Sequence, residues 1–415
     1  MKKIAVSFFA MQSMLVFAAP QVVPESVSFT QDPHSRKVAI TYMLKNEPAI
    51  VTVDIQTNAA PNNGGSWVSI GGTNLRHLSG DVNKVVEKLE ETCTVSWIPH
   101  KTWEGFQFEN GIRAVVSAWS VAAPPDYMVV SLAVKGNVRY YANADSLPYP
   151  LSDARYRKEE IVLRKVPAAG VRWRMGHSRE ENENPSEIPH YVTLTSDYYI
   201  GVFEVTADQW FSVKGTYPAK FTPSEEVDSG SYPLANVTYQ EVRGNPAAGS
   251  GWNWPKDGHE LSAVSFLGKL RSFTGVMFDL PTEAQWEYAC RAGTGTAQYN
   301  GNPAKITDIA WMAENAGGHA HPVGLLDENN WGLYDMLGNV REWCLDWYSE
   351  GQAYSDGSDV SDPEGAREST GTKVRRGESF AIAVTNVRAA RRSGFDPVSC
   401  HESIGLRVVC PISGN

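Results

Sequence analysis

Two carboxylates, Asp335 and Glu342, flank the turn Gly338-Asn-Val340 inside the dense stretch Gly332–Tyr348. Two carboxylates together with turn carbonyls make a hard, all-oxygen site of the kind Ca²⁺ takes. The plainer reading has Glu342 capping the turn and Asp335 in solvent. A second concentration is basic: Arg375, Arg376, Arg388, Arg391 and Arg392 lie close together in a net acidic chain. Guanidiniums so placed could line a groove for a carboxylate-bearing ligand, with Arg376, Arg388, Arg391 and Arg392 as its wall. They could equally pair with Asp346, Glu350 or Asp396 in the core. His319-Ala-His321 has the spacing of half a zinc site, but no nearby Cys or third His completes it, and its Gly and Pro flanks read as a loop. Ser399 and His401 are close, yet no Asp at a suggestive spacing supports a nucleophilic triad. Trp343 and Trp347 stand at i and i+4, as do Cys344 and Tyr348. Such pairs would share a face if the segment is helical, and rings so placed are expected to be core.

These residues need elements to hold them. From about residue 158 onward regular elements are short and Gly and Asn are frequent. Two T-x-x-Q capping boxes, Thr206–Gln209 and Thr282–Gln285, predict helix starts, because hydroxyl and amide together satisfy orphan backbone donors. A further helix is predicted over 262–273, with Val264, Leu267, Leu270 and Phe273 on one face. Long irregular connections, 301–330 and 349–372, are expected to be functional or tied by an ion.

The first part of the chain reads as β. Ala49–Ile55, Ser66–Ile70, Cys93–Trp97 and Ile112–Trp119 are short β-rich runs punctuated by Asn62-Asn-Gly-Gly65 and Glu109-Asn-Gly111. That spacing predicts an immunoglobulin- or fibronectin-III-like sandwich over 20–134, whose one helical-looking insert is 81–89. A linker is expected over 135–157, although the strands near 128–134 and 139–141 could finish the sandwich or bridge the domains. Lys2, Lys3, an apolar run to Phe17 and the small residues Ala18 and Ala19 predict a cleavable signal peptide over 1–19 and a secreted or periplasmic product. No other stretch approaches transmembrane length, so no membrane insertion is expected.

The formal charge of −10 argues against nucleic acid as a partner. The five cysteines are too few for a disulfide-dense scaffold. Four of them, Cys290, Cys344, Cys400 and Cys410, lie in the later part of the chain, where one bond of unassigned pairing is plausible.

Several segments, taken in order, resemble the formylglycine-generating-enzyme (sulfatase-modifying-factor) domain. They are Ile161–Ala168, Arg174-Met-Gly176, Phe203-Glu-Val-Thr206, Leu280-Pro-Thr-Glu-Ala-Gln-Trp-Glu-Tyr-Ala289, Gly332–Trp343, Arg376-Gly-Glu-Ser-Phe380 and Ile404-Gly-Leu-Arg-Val408. The resemblance covers about 158–413 and implies an α+β, loop-rich fold related to the C-type-lectin fold. It implies calcium held by the side chains of Asp335 and Glu342 and the backbone carbonyls of Gly338 and Val340. It also implies, for the active enzymes, two cysteines after an R-G-G-S-[WY] motif, whose thiolates bind Cu(I). The corresponding stretch here, Ala381–Arg391, contains no cysteine; Glu378 replaces the second Gly and Leu406 the usual Phe. Copper is therefore not expected. The expected function is a non-oxidase binding or structural module for an extracellular peptide, protein or glycan, stabilised by calcium. The alternative is an active formylglycine-generating oxidoreductase that acts on a protein cysteine through non-standard ligands.

Overall fold

A computed structural model describes residues 18–58, 64–103, 111–177, 186–221, 229–244, 261–350, 359–365 and 369–412. The apolar run of the expected signal peptide, through Phe17, lies outside the described residues. The chain divides into two compact units, one of residues 1–70 and 77–121 and the other of residues 71–76 and 122–415.

The first unit is built from antiparallel sheets. In one, Ser28–Gln31, Val38–Tyr42, Cys93–Trp97 and Ser79–Gly80 lie side by side. Only Cys93–Trp97 of these is among the β-rich runs read from the sequence; Val38, Ile40 and Tyr42 face its Trp97, Val95 and Cys93, and all six are buried. In the other sheet Ala49–Thr57 pairs with Ile112–Trp119 along its length and with Val68–Ser69 and Lys84–Val86 at its two ends. The stretch 81–89 is thus not a helix. Val85 and Lys84 are exposed edge residues, and Val86 turns into the core.

In the second unit a five-stranded antiparallel sheet runs in the order Val138–Tyr141, Tyr127–Ser131, Glu160–Val166, Tyr198–Gly201, Val409–Pro411. Residues assigned above to the end of the sandwich and to a linker are therefore strands of this sheet. The reason is apolar register: Val129 sits opposite Val162 and Val130 opposite Ile161, and all four side chains are buried. A four-stranded sheet follows the order Arg392–Phe395, Lys373–Arg376, Arg341–Trp347, Ile404–Gly405. The stretch 341–347 is therefore a strand. Trp343 and Trp347 are both buried in it, as expected of core rings, and the pairing register shifts between them. One short segment, Ile404–Pro411, contributes a strand to each sheet and carries Arg407 between them.

Of the five described α-helices, the three of eight or nine residues are Ala207–Lys214, Phe266–Thr274 and Glu283–Arg291, and each starts at a capping side chain. Thr206 caps Ala207–Lys214 and Thr282 caps Glu283–Arg291, both with the full reciprocal box. Such a cap contributes about 1 kcal/mol. The helix predicted over 262–273 starts later, at Phe266, because the Ser265 hydroxyl accepts from Gly268 N–H and ends the preceding turn. Val264 is left 71% exposed. Trp210 stacks on Phe266 with ring centroids 4.7 Å apart, joining the first two helices. Every residue of Glu283–Arg291 is buried, including its two glutamates and its arginine. The one disulfide expected among the later cysteines is absent: Cys290, Cys344, Cys400 and Cys410, like Cys93, are free thiols. No described helix is long and apolar enough to cross a membrane.

Candidate functional site

The turn of the Gly332–Tyr348 stretch is wound left-handed at Asp335 (φ 55°), Gly338 (φ 81°) and Asn339 (φ 53°). Gly338 has a second constraint: a Cβ there would lie 2.2 Å from the Trp311 carbonyl oxygen, so no other residue fits. The Asn339 amide locks the turn, donating to Glu204 Oε2 (2.7 Å) and the His321 carbonyl (3.2 Å) while accepting from His321 N–H (2.9 Å). Val340 N–H donates to Glu204 Oε1 at 3.1 Å.

Around this turn three buried carboxylates gather. Asp335 accepts from Gly324 N–H at 2.6 Å. Glu342 accepts from Trp286 Nε1 at 2.6 Å and from the buried Arg407 guanidinium at 2.8 to 3.2 Å. Glu204 is the third. Burial pushes the Asp335 carboxyl up to about 6, with the charge of Glu342 adding to the rise. Burial followed by the charges of Asp335 and Glu342 holds Glu204 well above the usual carboxylate range. Arg407 is the main counter-charge for all three. Negative charge in excess inside a protein is stable only if it is protonated or met by a cation. The residue set of Asp335 and Glu342 thus fits a hard divalent ion, although both Glu342 oxygens already serve protein donors. Among the described residues no three His, Cys, Asp or Glu side chains are arranged to hold a metal by themselves.

The arginine segment is different. Arg376 is fully buried and donates to Glu287, to the Ala389 carbonyl (3.0 Å), and to the Ala390 and Arg391 carbonyls (2.8 and 3.0 Å). Arg392 forks both ways onto Glu283, each bond 2.6 Å long. The charges of Arg392 and then Arg376 hold the Glu283 carboxyl below its ordinary value against the cost of burial. Arg388 forks onto Glu187 at 3.0 and 2.7 Å. Arg391 donates to Glu378 at 3.1 Å. The proposed groove wall of Arg376, Arg388, Arg391 and Arg392 is therefore a set of ion pairs, with Arg376 and Arg392 sealed in the core. The partners are glutamates of other elements, not the Asp346, Glu350 or Asp396 named above. Glu283 and Glu287 were visible as part of a motif; their i, i+4 spacing on one buried helix face was the signal for paired arginines. Glu204 and Arg407 were missed in the same way, since both sit inside motifs read only as family markers.

Glu378 takes a left-handed conformation (φ 61°) that costs a non-Gly residue about 1–2 kcal/mol. Its carboxylate bridges Arg341 Nη2 (2.6 Å) and Arg391 Nε (3.1 Å). Charge-assisted bonds of about 1.5–3 kcal/mol each offset that strain. The segment after Phe380 is filled with apolar residues: Val387, Ala389 and Ala390 are buried, and Ile382 and Val384 pack partly against the core.

The remaining candidates resolve simply. His321 stacks on Trp311 at 3.8 Å and His319 lies 4.8 Å beyond it, with His319 Nδ1 and His321 Nε2 against backbone carbonyls. Ser399 donates to Asp396, while His401 Nδ1 pairs with Ser403, so no Ser–His contact forms.

With this geometry in view, comparison with known proteins is informative. The family described as the sulfatase-modifying factor enzyme 1-like domain matches residues 157–412. A chaperone protein, LppX, of Paenibacillus barcinonensis is 28% identical over 243 residues, 52% of this chain and 81% of its own. The formylglycine-generating enzyme of Mus musculus is 27% identical over 284 residues, 59% of this chain and 74% of its own. The solved structure of Treponema denticola variable protein 1 superposes with a TM-score of 0.50 at 25% identity, over 61% of this chain and 95% of that one.

Proposed function

The chain belongs to the sulfatase-modifying factor enzyme 1-like family through residues 157–412, and from that membership we propose that it is a non-oxidase binding or structural module. The observation that carries this reading is the stretch Ala381–Arg391. It lacks cysteine, and its apolar side chains and paired arginines fill the space beside the Arg376–Phe380 motif. Thiolates are soft ligands suited to Cu(I); Val, Ala and Thr are not ligands at all. Cys290, Cys344 and Cys410 are buried elsewhere, and burial pushes Cys290 and Cys410 up to about 12, so they are poor thiolates. Family alone does not choose the role, since one relative is described as a chaperone and another as a formylglycine-generating enzyme.

The test uses a cysteine-bearing sulfatase-type peptide, copper and a thiol reductant. The expected result is an unchanged peptide mass. Loss of mass to formylglycine establishes the competing reading, an oxidoreductase acting through other ligands.

The same proposal includes calcium, held by the Asp335 and Glu342 side chains and the Gly338 and Val340 carbonyls. The ion would neutralise the buried carboxylate excess, and the surplus of Glu204, Asp335 and Glu342 over Arg407 supports it. The first unit is proposed as an immunoglobulin-like docking or spacer module, and the product as secreted or periplasmic. Its partner is an extracellular peptide, protein or glycan. The net charge of −10 supports a partner other than nucleic acid.

A further inference from the structure

Glu378, which stands where the resembling motif has its second Gly, is ion-paired to Arg341. Around that pair the arginine count exceeds the carboxylate count. Arg341 and Arg391 pair with Glu378, which is 4% exposed, and Arg375 feels the charge of the same carboxylate. Arg391 also reaches Glu187 at 3.7 Å, but Glu187 is already taken by Arg388.

Arg375 is the one left over. Its Nε donates to Ser393 Oγ at 3.0 Å, and its guanidinium lies 4.6 Å over the Phe395 ring. Its two terminal nitrogens meet no acceptor among the described residues, and they are not sealed from solvent. Partial burial, with Arg341 and Arg391 as neighbours, brings this guanidinium down to about 10. A fixed, half-buried guanidinium with a free fork and two like charges beside it is a strong attractor for an oxyanion. The Phe395 ring and the Ser393 hydroxyl hold that fork in place before any ligand arrives.

We propose that Arg375, flanked by Arg341 and Arg391, is a docking point for one carboxylate of a peptide ligand, an Asp or Glu side chain or a chain terminus. The inference rests on the binding-module reading and names its ligand chemistry. Glu378 shows the chemistry that the site accepts, since a carboxylate already bridges two of the three arginines. The acidic balance of the whole protein favours a peptide over a sulfated polysaccharide. A polyanion longer than the site would meet repulsion within about one Debye length, roughly 8–10 Å, whereas a single carboxylate would not.

The experiment titrates the isotope-labelled full chain with N-acetyl-glutamate amide at constant ionic strength and follows the arginine Nε–H signals by NMR. The expected result is a saturable shift that N-acetyl-glutamine amide does not produce. Arg375→Gln weakens it at least about tenfold, and Arg375→Lys, which keeps the charge but loses the fork, weakens it several-fold. Arg172→Gln, whose exposed pair with Asp359 lies outside this cluster, leaves it unchanged. Absence of a saturable shift, an equal response in Arg375→Gln with an unchanged melting temperature, or saturation by inorganic sulfate or a sulfated disaccharide in place of the glutamate derivative each overturns the proposal. Formylglycine formation in the peptide assay removes the non-oxidase reading without touching this site. Loss of the carboxylate response leaves that reading intact.

Discussion

Two buried clusters of charge lie within the same unit, and they are balanced differently. Along the Glu283–Arg291 helix, Glu283 and Glu287 meet Arg376, Arg392 and Arg291: Arg392 forks onto Glu283, while Arg376 and Arg291 each reach Glu287 through one nitrogen. Around the Gly338-Asn-Val340 turn, Glu204, Asp335 and Glu342 share chiefly Arg407. The same low dielectric acts on both. In the first it strengthens pairs that are complete; in the second it raises carboxyl groups that lack a partner. Complete pairing marks a cluster that holds the fold together without further help. Incomplete pairing marks the one where the proposed calcium would act.

Breaking the balanced cluster gives the largest effect. Arg376→Met leaves buried Glu287 with Arg291 as its one remaining ion-pair partner among the described residues and is expected to cost about 3–5 kcal/mol, read as a fall in the denaturant midpoint. The double change Arg376→Met with Glu287→Gln recovers much of that loss. If it recovers none, the pair is not the source of the effect.

The unbalanced cluster should respond to calcium and to pH together. At free calcium about 100-fold above its dissociation constant, the stabilisation is about 2.7 kcal/mol, lost on chelation and absent in Asp335→Ala. In chelator the native Asp335 keeps a proton that the unfolded chain releases from about pH 4 upward. The Asp335 contribution to stability therefore falls as pH rises from about 4 to about 6, by about 2–3 kcal/mol, and Asp335→Asn removes that share of the slope, while Glu204 adds another in the same direction. Glu283 has the opposite sign. Its folded value is depressed, so its contribution is present above the ordinary carboxylate range and is lost as pH falls through the lower folded value. Thermal melts of Asp335→Asn and Glu283→Gln across pH separate the two. Slopes of the same sign in both would erase the distinction between the clusters.

The smallest effect tests the odd residue between them. Glu378→Gly loses two ion-paired bonds of about 1.5 kcal/mol each at the low end but relieves about 1–2 kcal/mol of left-handed strain, and a net loss of about 1–2 kcal/mol is expected. Glu378→Ala keeps the strain and loses the bonds, so it should be less stable than Glu378→Gly by about 1 kcal/mol.

Much of this arrangement was legible in the sequence wherever the signal is local. The T-x-x-Q caps set the helix starts, the β-rich run Cys93–Trp97 set a strand, and the missing cysteines after Phe380 needed no structure. The pairing of arginines was less legible. Glu283 lies 109 residues before Arg392 and Glu187 lies 201 before Arg388, so nothing in either neighbourhood names the partner. The strands 127–131 and 138–141 misled for a related reason. They are adjacent in sequence to the first unit, but their apolar faces match Glu160–Val166 of the second. The cost of a left-handed Glu378 was foreseeable from the glycine it replaces; the arginine that compensates it, Arg341, was not.

The segment Ile404–Pro411 has a consequence for the order of assembly. It closes one sheet against Arg341–Glu342 and the other against Tyr198–Ile200, and it delivers Arg407 to three acids that have waited unneutralised since their own synthesis. Contacts that span 200 residues give a slow, late closing step, because loop entropy is lost before the pairing is gained. Up to that step both sheets lack a strand and expose unpaired edges. The unit is then expected to lock all at once, its amide hydrogens becoming protected together and not sheet by sheet.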